Sequence, residues 1–214
     1  MNSMTLLKEA AAIIYKRFAN HKARRFDNIN LSFFEQLCLR DKPRDYIEAT
    51  CQILALMQAK VIVEIGSARQ PLEHGLDEFN PVCCNDGHST FFWDRTGCEV
   101  HTVDINPNSA TMINALCKNT TAYTQDGIEF LRGFDKTIDL LYLDAWDVLP
   151  GTLFAEKHLE AYQVARTKLS PRHLILIDDT DVGGAGKGEL LIPVLQHDGY
   201  ISMIEGRQYL FMKL

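Results

Sequence analysis

The stretch HLILIDDTDVGG, residues 173–184, places carboxylates directly after an apolar run. The apolar residues 174–177 are typical of a buried strand, and Asp178, Asp179 and Asp181 follow them. Carboxylates crowded at the end of a strand repel one another and are costly to remove from water. These residue types at this spacing therefore predict a neutralising group beside them.

Acids end every strand that the pattern predicts. They are Glu64 with Gly66, Asp104, Asp126 with Gly127, Asp144, and Asp178 with Asp179. In an open α/β sheet, ligands bind outside the carboxyl ends of the strands. A carboxylate after the second strand, here Asp104, is suited to accept hydrogen bonds from both hydroxyls of a ribose. Helix capping explains a single Asp equally well, but five successive acids indicate one ligand site.

Alternating strands and helices from residue 60 onward must position these acids. The predicted strands are 60–66, 99–105, 121–126, 138–145 and 173–179, and the predicted helices are 89–95, 107–118, 127–133 and 153–169. Alternation of this kind implies parallel strands with helices on both faces. Residues 199–214 break the rhythm and predict an antiparallel hairpin that turns at 205–207. The expected fold is α/β: a Rossmann-like, doubly wound, mostly parallel seven-stranded sheet with N-terminal helices.

The 214 residues are expected to form one domain. Its parts are a helical leader over 1–58, a core over 60–214, and an insertion over 69–87 after the first strand. The leader's predicted helices are 5–19, 31–39 and 43–58, the last opening at Pro43. Leader helices of this kind pack on a core or on a partner subunit, so a homodimer is possible.

Composition excludes several classes of function. A formal net charge of −6 disfavours general binding to nucleic acid or to an anionic membrane surface. No apolar run approaches the roughly 18–20 residues that span a bilayer, and Lys8 and Glu9 interrupt any signal-peptide core. The six cysteines form neither a regular framework nor a CxxC motif, which favours reduced thiols over disulfides or zinc. The expected location is the cytoplasm.

Glycine spacing argues against two nucleotide-binding motifs. After the first strand the chain has EIGSARQPLEHG, which lacks the second glycine of GxGxxG, so NAD binding is disfavoured. The segment GGAGKGE fails the GxxxxGK[ST] test for a phosphate loop, because Gly188 follows Lys187. Lys187 is expected to be a solvated lysine in a glycine-rich loop.

Taken in order, the segments VIVEIGSA, GHST, VHTVDI, TQDGIEFL, IDLLYLDA and LILIDDT resemble the class I S-adenosylmethionine-dependent methyltransferases. The resemblance covers about residues 45–214. It implies that Glu64, Gly66 and Ser67 flank the methionine part of the cofactor and that Ser89 meets its carboxylate. It further implies that Asp104 and Ile105 border the ribose, that Asp126 and Gly127 border the adenine, and that Asp144 lies at the cofactor edge. The insertion separates Ser67 from Ser89, which is a departure from the family pattern.

Within that family, YLDAWD followed by LIDDT resembles metal-dependent small-molecule O-methyltransferases. The resemblance implies that Asp144, Asp178 and Asp179 ligate a divalent metal, and oxygen ligands favour Mg²⁺ or Mn²⁺ over zinc. The metal would lower the pKa of an acceptor hydroxyl. Asp144 and Asp147 are the predicted catalytic residues, with Asp147 as the base, although related catechol enzymes have a lysine near that position.

Two alternatives stay open from the sequence. One is a metal-free small-molecule methyltransferase in which Asp178 and Asp179 bind the substrate directly. The other is a non-catalytic, methyltransferase-like interaction protein whose interrupted glycine motif no longer closes on the cofactor. The expected partner of the enzyme is a small molecule with a hydroxyl group, and the sequence does not identify it.

Overall fold

The computed structural model describes residues 1–19, 43–71, 88–182 and 184–214. The predicted helix 31–39 and most of the 69–87 insertion lie outside these ranges. Within them, no helix is long and apolar enough to cross a membrane.

Seven strands form one sheet, and the described helices precede or connect them. In chain order the elements are α1 (Ser3–Phe18), α2 (Pro43–Met57), β1 (Val61–Ile65), α3 (Ser89–Asp94), β2 (Glu99–Asp104), α4 (Pro107–Leu116), β3 (Thr120–Thr124), α5 (Gly127–Gly133), β4 (Ile138–Leu143), α6 (Phe154–Ala165), β5 (Leu169–Ile177), α7 (Leu191–His197), β6 (Ile201–Ile204) and β7 (Tyr209–Lys213). Short 3₁₀ turns occupy Arg166–Lys168 and Gly186–Gly188. The predicted fold class is confirmed.

The strand order is β3-β2-β1-β4-β5-β7-β6. The pairs among β1 to β5 are parallel, and β7 runs antiparallel to both β5 and β6. The predicted C-terminal hairpin is therefore present, and it turns between Ile204 and Tyr209. Because β7 is reversed, its first residues lie at the same edge of the sheet as the last residues of β5.

Several predicted boundaries differ from the structure, and one described helix was not predicted. β5 starts at Leu169 rather than 173, because Leu169 pairs with Ile138 of β4 before the register shifts. The sequence analysis also missed α7, a seven-residue helix with Pro193 in its first turn. A helix this short offers too few residues for its periodicity to stand out.

Local signals explain where several helices begin. Asn2 caps α1, Asn106 caps α4 and Asp126 caps α5, each accepting a hydrogen bond from a backbone N–H two or three residues later. Pro107 stands at the start of α4, where its missing N–H costs nothing. The caps at Asn106 and Asp126 fix where the helices that follow β2 and β3 begin.

Alternate side chains of each strand are buried on opposite faces of the sheet. On one face Val63, Leu141 and Ile175 pack with α5, α6 and α7. On the other face Ile62 and Leu140 pack with α1, α2 and α3, where Trp93 is fully buried. Strands covered on both faces form a rigid layer, and this rigidity fixes the positions of the residues that follow each strand.

Candidate active site

The strand register brings the predicted acids to one edge of the sheet. Ile65 of β1 lies beside Val103 of β2 and Leu143 of β4, and Leu143 lies beside Ile177 of β5. Backbone hydrogen bonds continue just beyond the strands: Gly66 N to Val103 O at 2.9 Å, Asp144 N to Ile65 O at 2.8 Å, and Asp178 N to Leu143 O at 3.1 Å. The structure therefore groups Gly66, Asp104, Asp144 and Asp178 at the carboxyl end of the sheet.

Gly66 lies where the chains after β1 and β4 approach each other most closely. Its φ of +97° is in the left-handed region that favours glycine. A Cβ at this position would lie 2.8 Å from the carbonyl carbon and oxygen of Asp144 and 2.9 Å from the nitrogen of Ala145. The glycine thus allows the β1 turn to rest directly on the backbone of Asp144.

Asp104 is half-buried at the end of β2. Its Oδ2 accepts a hydrogen bond from the backbone N–H of Ser67 at 3.3 Å, and its Oδ1 accepts one from Asn106 at 2.9 Å. Ile105 beside it is 77% exposed. The carboxylate is therefore oriented by two backbone donors next to an exposed apolar side chain, and its role toward a ribose stays a prediction.

Glu64 faces the interior rather than the open edge. Its fully buried carboxylate accepts hydrogen bonds from Ser89 Oγ and Thr90 Oγ1 at 2.6 Å, Thr102 Oγ1 at 2.7 Å and Trp93 Nε1 at 3.0 Å. Thr90 Oγ1 in turn accepts the backbone N–H of Ala68 at 3.0 Å. Glu64 and Ser89, both predicted to flank the cofactor, thus engage each other, and Glu64 ties the turn after β1 to the start of α3.

Burial raises the pKa of Glu64 to about 7, although its four hydrogen-bond donors oppose the shift. An acid with a raised folded-state pKa binds its proton more tightly when folded. Its contribution to stability is therefore fully present below pH 4.5 and is lost as pH rises through about 7. We expect the free energy of unfolding of the wild type to fall relative to that of Glu64→Gln by up to about 3 kcal/mol between these limits. Urea unfolding of both proteins from pH 4.5 to 8 measures this difference, and a constant difference would contradict the shift.

Asp126 and Gly127 open α5 at the same edge. Asp126 Oδ1 accepts the backbone N–H groups of Ile128 at 2.9 Å and Glu129 at 3.1 Å, so this acid acts as a helix cap. A Cβ on Gly127 would lie 2.4 Å from Ile65 Cγ2 and 3.4 Å from the ring of Trp146. The glycine therefore lets α5 begin close to β1 and Trp146. The predicted adenine contacts of these two residues remain untested.

The acids of the predicted metal site come together. One carboxylate oxygen from each of Asp144, Asp178 and Asp179 lies within 4.8 Å of the other two. Burial and then repulsion from Asp144 and Asp179 raise the pKa of Asp178 well above its usual value. Burial also raises the pKa of Asp144, against the opposing effect of Lys187. In these three residues, which we call the three-acid group, burial and mutual repulsion thus disfavour the ionised form of Asp144 and Asp178.

Lys187 was expected to be a solvated lysine, but its side chain is only 2% exposed. It extends into the three-acid group. Its Nζ lies 2.8 Å from Asp144 Oδ1 and 3.1 Å from Asp179 Oδ2. Burial alone would lower the pKa of Lys187, but Asp144 and Asp179 outweigh it and raise that pKa. The expectation was wrong because glycine content describes a loop's local freedom and not what the loop packs against.

Two further partners of the three-acid group were missed by the sequence analysis. Gln208 Nε2 donates to Asp178 Oδ1 at 2.7 Å and to the hydroxyl of Tyr142 at 3.1 Å, and that hydroxyl donates to Asp144 Oδ2 at 3.2 Å. Gln208 stands just before β7, opposite the end of β5. The predicted reversal of the last strand was a signal that could have placed it at this edge.

Asp147, the predicted base, is not part of the three-acid group. Its side chain is 59% exposed, and its Oδ1 lies 3.8 Å from Arg69 Nη2. A pair this exposed contributes little to stability. The catalytic role of Asp147 therefore stays a prediction that the geometry does not favour.

Several solved structures are similar to this chain. A methyltransferase from Podospora anserina, solved with S-adenosylhomocysteine (SAH), is 14% identical; the alignment covers 100% of this chain and 96% of the other, with a TM-score of 0.55. An O-methyltransferase from Bacillus cereus, also with SAH, is 13% identical over 97% and 89% of the two chains, with a TM-score of 0.51. The fold is that of a class I methyltransferase.

The likeness extends to enzymes with different acceptors. A 16S rRNA N2 G1207 methyltransferase from T. thermophilus, solved with AdoMet and guanosine, is 16% identical over 88% of this chain and 44% of its own, with a TM-score of 0.50. No protein-family profile matches the sequence, and no curated protein does either. The comparisons thus confirm the resemblance that the sequence predicted at the level of the fold, and the acceptor must be inferred from the site itself.

Proposed function

We propose that the protein is an S-adenosylmethionine-dependent methyltransferase that methylates a hydroxyl group of a small molecule with the help of a divalent metal. The observation that carries the proposal is the shared sheet edge. Asp104, oriented by Ser67, and the three-acid group lie beyond parallel strands of one sheet, with Gly66 packed closely against Asp144. Cofactor and acceptor would therefore meet at Asp144.

The residues present fit the cofactor. The turn after β1 brings the backbone N–H of Ser67 to the carboxylate of Asp104, leaving that carboxylate half-exposed for a ribose. On the buried side, the Glu64 carboxylate accepts hydrogen bonds from Ser89 and Thr90. These bonds keep the start of α3 next to this turn. The buried network thus supports a cofactor site although the insertion interrupts the glycine motif.

The residues present also fit a divalent metal. The three-acid group offers three carboxylate ligands of the kind that Mg²⁺ and Mn²⁺ prefer. Arg207 and Lys187 both oppose the rise in the pKa of Asp178, which nevertheless stays well above its usual value, so a divalent cation would relieve the remaining repulsion. The amide oxygen of Gln208 is buried without a hydrogen-bond partner among the described residues, which shows that the polar network around Asp178 is incomplete.

The chain's own residues would position the reactants. A divalent cation, when bound, supplies Lewis acidity that lowers the pKa of an acceptor hydroxyl. Asp144 lies between the cofactor edge and the other acids, so it places the acceptor beside the methyl donor. Tyr142 and Gln208 orient Asp144 and Asp178 by hydrogen bonds from the buried side.

The cofactor assignment predicts that Asp104→Ala weakens the binding of SAH about tenfold or more. The change removes the acceptor of the ribose hydroxyls, and a hydrogen bond to a charged group contributes about 1.5–3 kcal/mol. Isothermal titration calorimetry with SAH measures the affinity. Asp135→Ala, which alters an exposed acid outside the site, is the matched control. Equal affinity in wild type and Asp104→Ala would contradict the assignment.

The same titration separates the alternatives. No binding of SAH to the wild type would favour a non-catalytic, methyltransferase-like interaction protein. Binding of SAH together with methyl transfer that survives EDTA would favour a metal-free enzyme, in which Lys187 keeps its place between Asp144 and Asp179. The small-molecule acceptor, the absence of nucleic-acid binding, the homodimer and the cytoplasmic location all remain predictions.

A further inference from the structure

Lys187 is the cation that the structure places inside the three-acid group. Its Nζ lies 2.8 Å from Asp144 Oδ1, 3.1 Å from Asp179 Oδ2 and 3.1 Å from the backbone oxygen of Asp144. An ammonium group has three N–H donors, so these contacts use all of them. A lysine side chain that is 2% exposed with every donor engaged is a component of the site and not a surface charge.

The loop that carries Lys187 is built against Asp179. Gly186 has a φ of +47°, and a Cβ on it would lie 1.8 Å from the backbone oxygen of Asp179. The same oxygen accepts the backbone N–H of Lys187 at 3.3 Å. Because glycine has no Cβ, the loop can pack directly against the backbone of Asp179. This packing places the Lys187 side chain among the acids.

The oxygens that hold Lys187 belong to the residues that would hold the metal. Asp144 and Asp179 supply two of the three ligand atoms of the three-acid group. A divalent cation bound to both would lie within a few ångströms of the ammonium, and two like charges this close repel strongly where water is excluded. The two cations therefore compete for the same pair of carboxylates.

We propose that Lys187 is a built-in cation that neutralises Asp144 and Asp179 in the metal-free protein and is displaced from them when a divalent metal binds. This inference rests on the metal-assisted function proposed above. In the absence of metal, the bound lysine would keep the acids ordered. Its displacement would weaken metal binding by the free energy needed to move the side chain. The metal affinity of the site is thus set by a residue that is not one of its ligands.

Calorimetric titration of Mn²⁺ into metal-stripped protein tests the competition. We expect Lys187→Met, which keeps the length of the side chain and removes its charge, to bind Mn²⁺ about tenfold more tightly than the wild type. Mn²⁺ should also raise the melting temperature of this variant by more. Lys118→Met, which removes an exposed lysine outside the site, is the matched control and should behave as the wild type. Equal or weaker binding of Mn²⁺ by Lys187→Met would overturn the proposal.

A measurement on the wild type keeps the test independent of that variant's folding. Reductive methylation followed by peptide mass spectrometry reports how accessible each lysine is. Lys187 should be protected in EDTA and become labelled at least about fivefold faster with saturating Mg²⁺, while Lys118 is labelled equally in both. Unchanged protection of Lys187 despite Mg²⁺ binding would show that the lysine stays in place.

The outcomes separate this inference from the proposed function. If wild type and Lys187→Met bind Mn²⁺ with the same affinity, the exchange is wrong and the metal-assisted function stands. If neither protein binds Mn²⁺, both the exchange and the metal assistance fail, while SAH binding still tests the cofactor assignment by itself.

Discussion

Replacing Asp144 with alanine is expected to lower the free energy of unfolding of the metal-free protein by about 1.5–3 kcal/mol, the usual contribution of a hydrogen bond to a charged group. The change removes the carboxylate whose Oδ1 lies 2.8 Å from Lys187 Nζ, and the lysine side chain is 2% exposed. Asp179, 3.1 Å from the same Nζ, stays as a partner, so the lysine loses its nearer carboxylate and keeps the other. Urea unfolding in the presence of EDTA, followed by circular dichroism, measures the loss.

Two matched variants show whether the cost comes from the lost contact with Lys187. In the double variant Asp144→Ala with Lys187→Met the contact has no second partner to lose, so its loss of stability should be smaller than the sum of the two single-variant losses. Asp147→Ala, three residues away in sequence and 59% exposed, should change stability by no more than about 0.5 kcal/mol. A loss below about 1 kcal/mol for Asp144→Ala, or single-variant losses that simply add in the double variant, would show that Lys187 is not held as described.

Gly66→Ala is expected to reduce SAH affinity by at least about tenfold. The new Cβ would lie 2.8 Å from backbone atoms of Asp144 and would require a φ of +97° from an alanine. Backbone atoms cannot move aside as a flexible side chain can, so the turn after β1 must shift away from β4. That shift would move the Ser67 N–H that orients the Asp104 carboxylate, and a hydrogen bond to a charged group contributes about 1.5–3 kcal/mol, or about tenfold to a hundredfold in affinity. Calorimetric titration with SAH gives the affinity directly.

Gly97→Ala provides the comparison that isolates the contact. Gly97 also has a positive φ, +77°, but a Cβ there would meet nothing within 4 Å. Both substitutions therefore introduce backbone strain of about 1 kcal/mol or more. Only the Cβ of Gly66→Ala would also clash with the backbone of Asp144. Gly97→Ala should bind SAH as the wild type does. Full affinity in Gly66→Ala would mean that the turn after β1 takes no part in holding the cofactor.

The sequence by itself determined the architecture and the edge that carries the site. Hydrophobic periodicity gave the strand and helix order, because a sheet buried on both faces needs continuous apolar runs. Acids placed directly after those runs must meet at one edge, because parallel strands end on the same side. The placement of Asp104, Asp144, Asp178 and Asp179 at this edge thus follows from the sequence pattern without any knowledge of their contacts.

Only the tertiary structure decided what each acid contacts. Glu64 turned inward to four donors from α3 and β2, because the residues that pair with it are 25 or more positions away in sequence. Lys187 and Gln208 entered the three-acid group from a glycine-rich loop and from the end of a reversed strand. Periodicity reports which face of an element is apolar, whereas the partner of a buried charge depends on contacts between distant segments. The sequence thus predicted that the acids need a neutralising group, and the fold shows that the chain supplies one of its own.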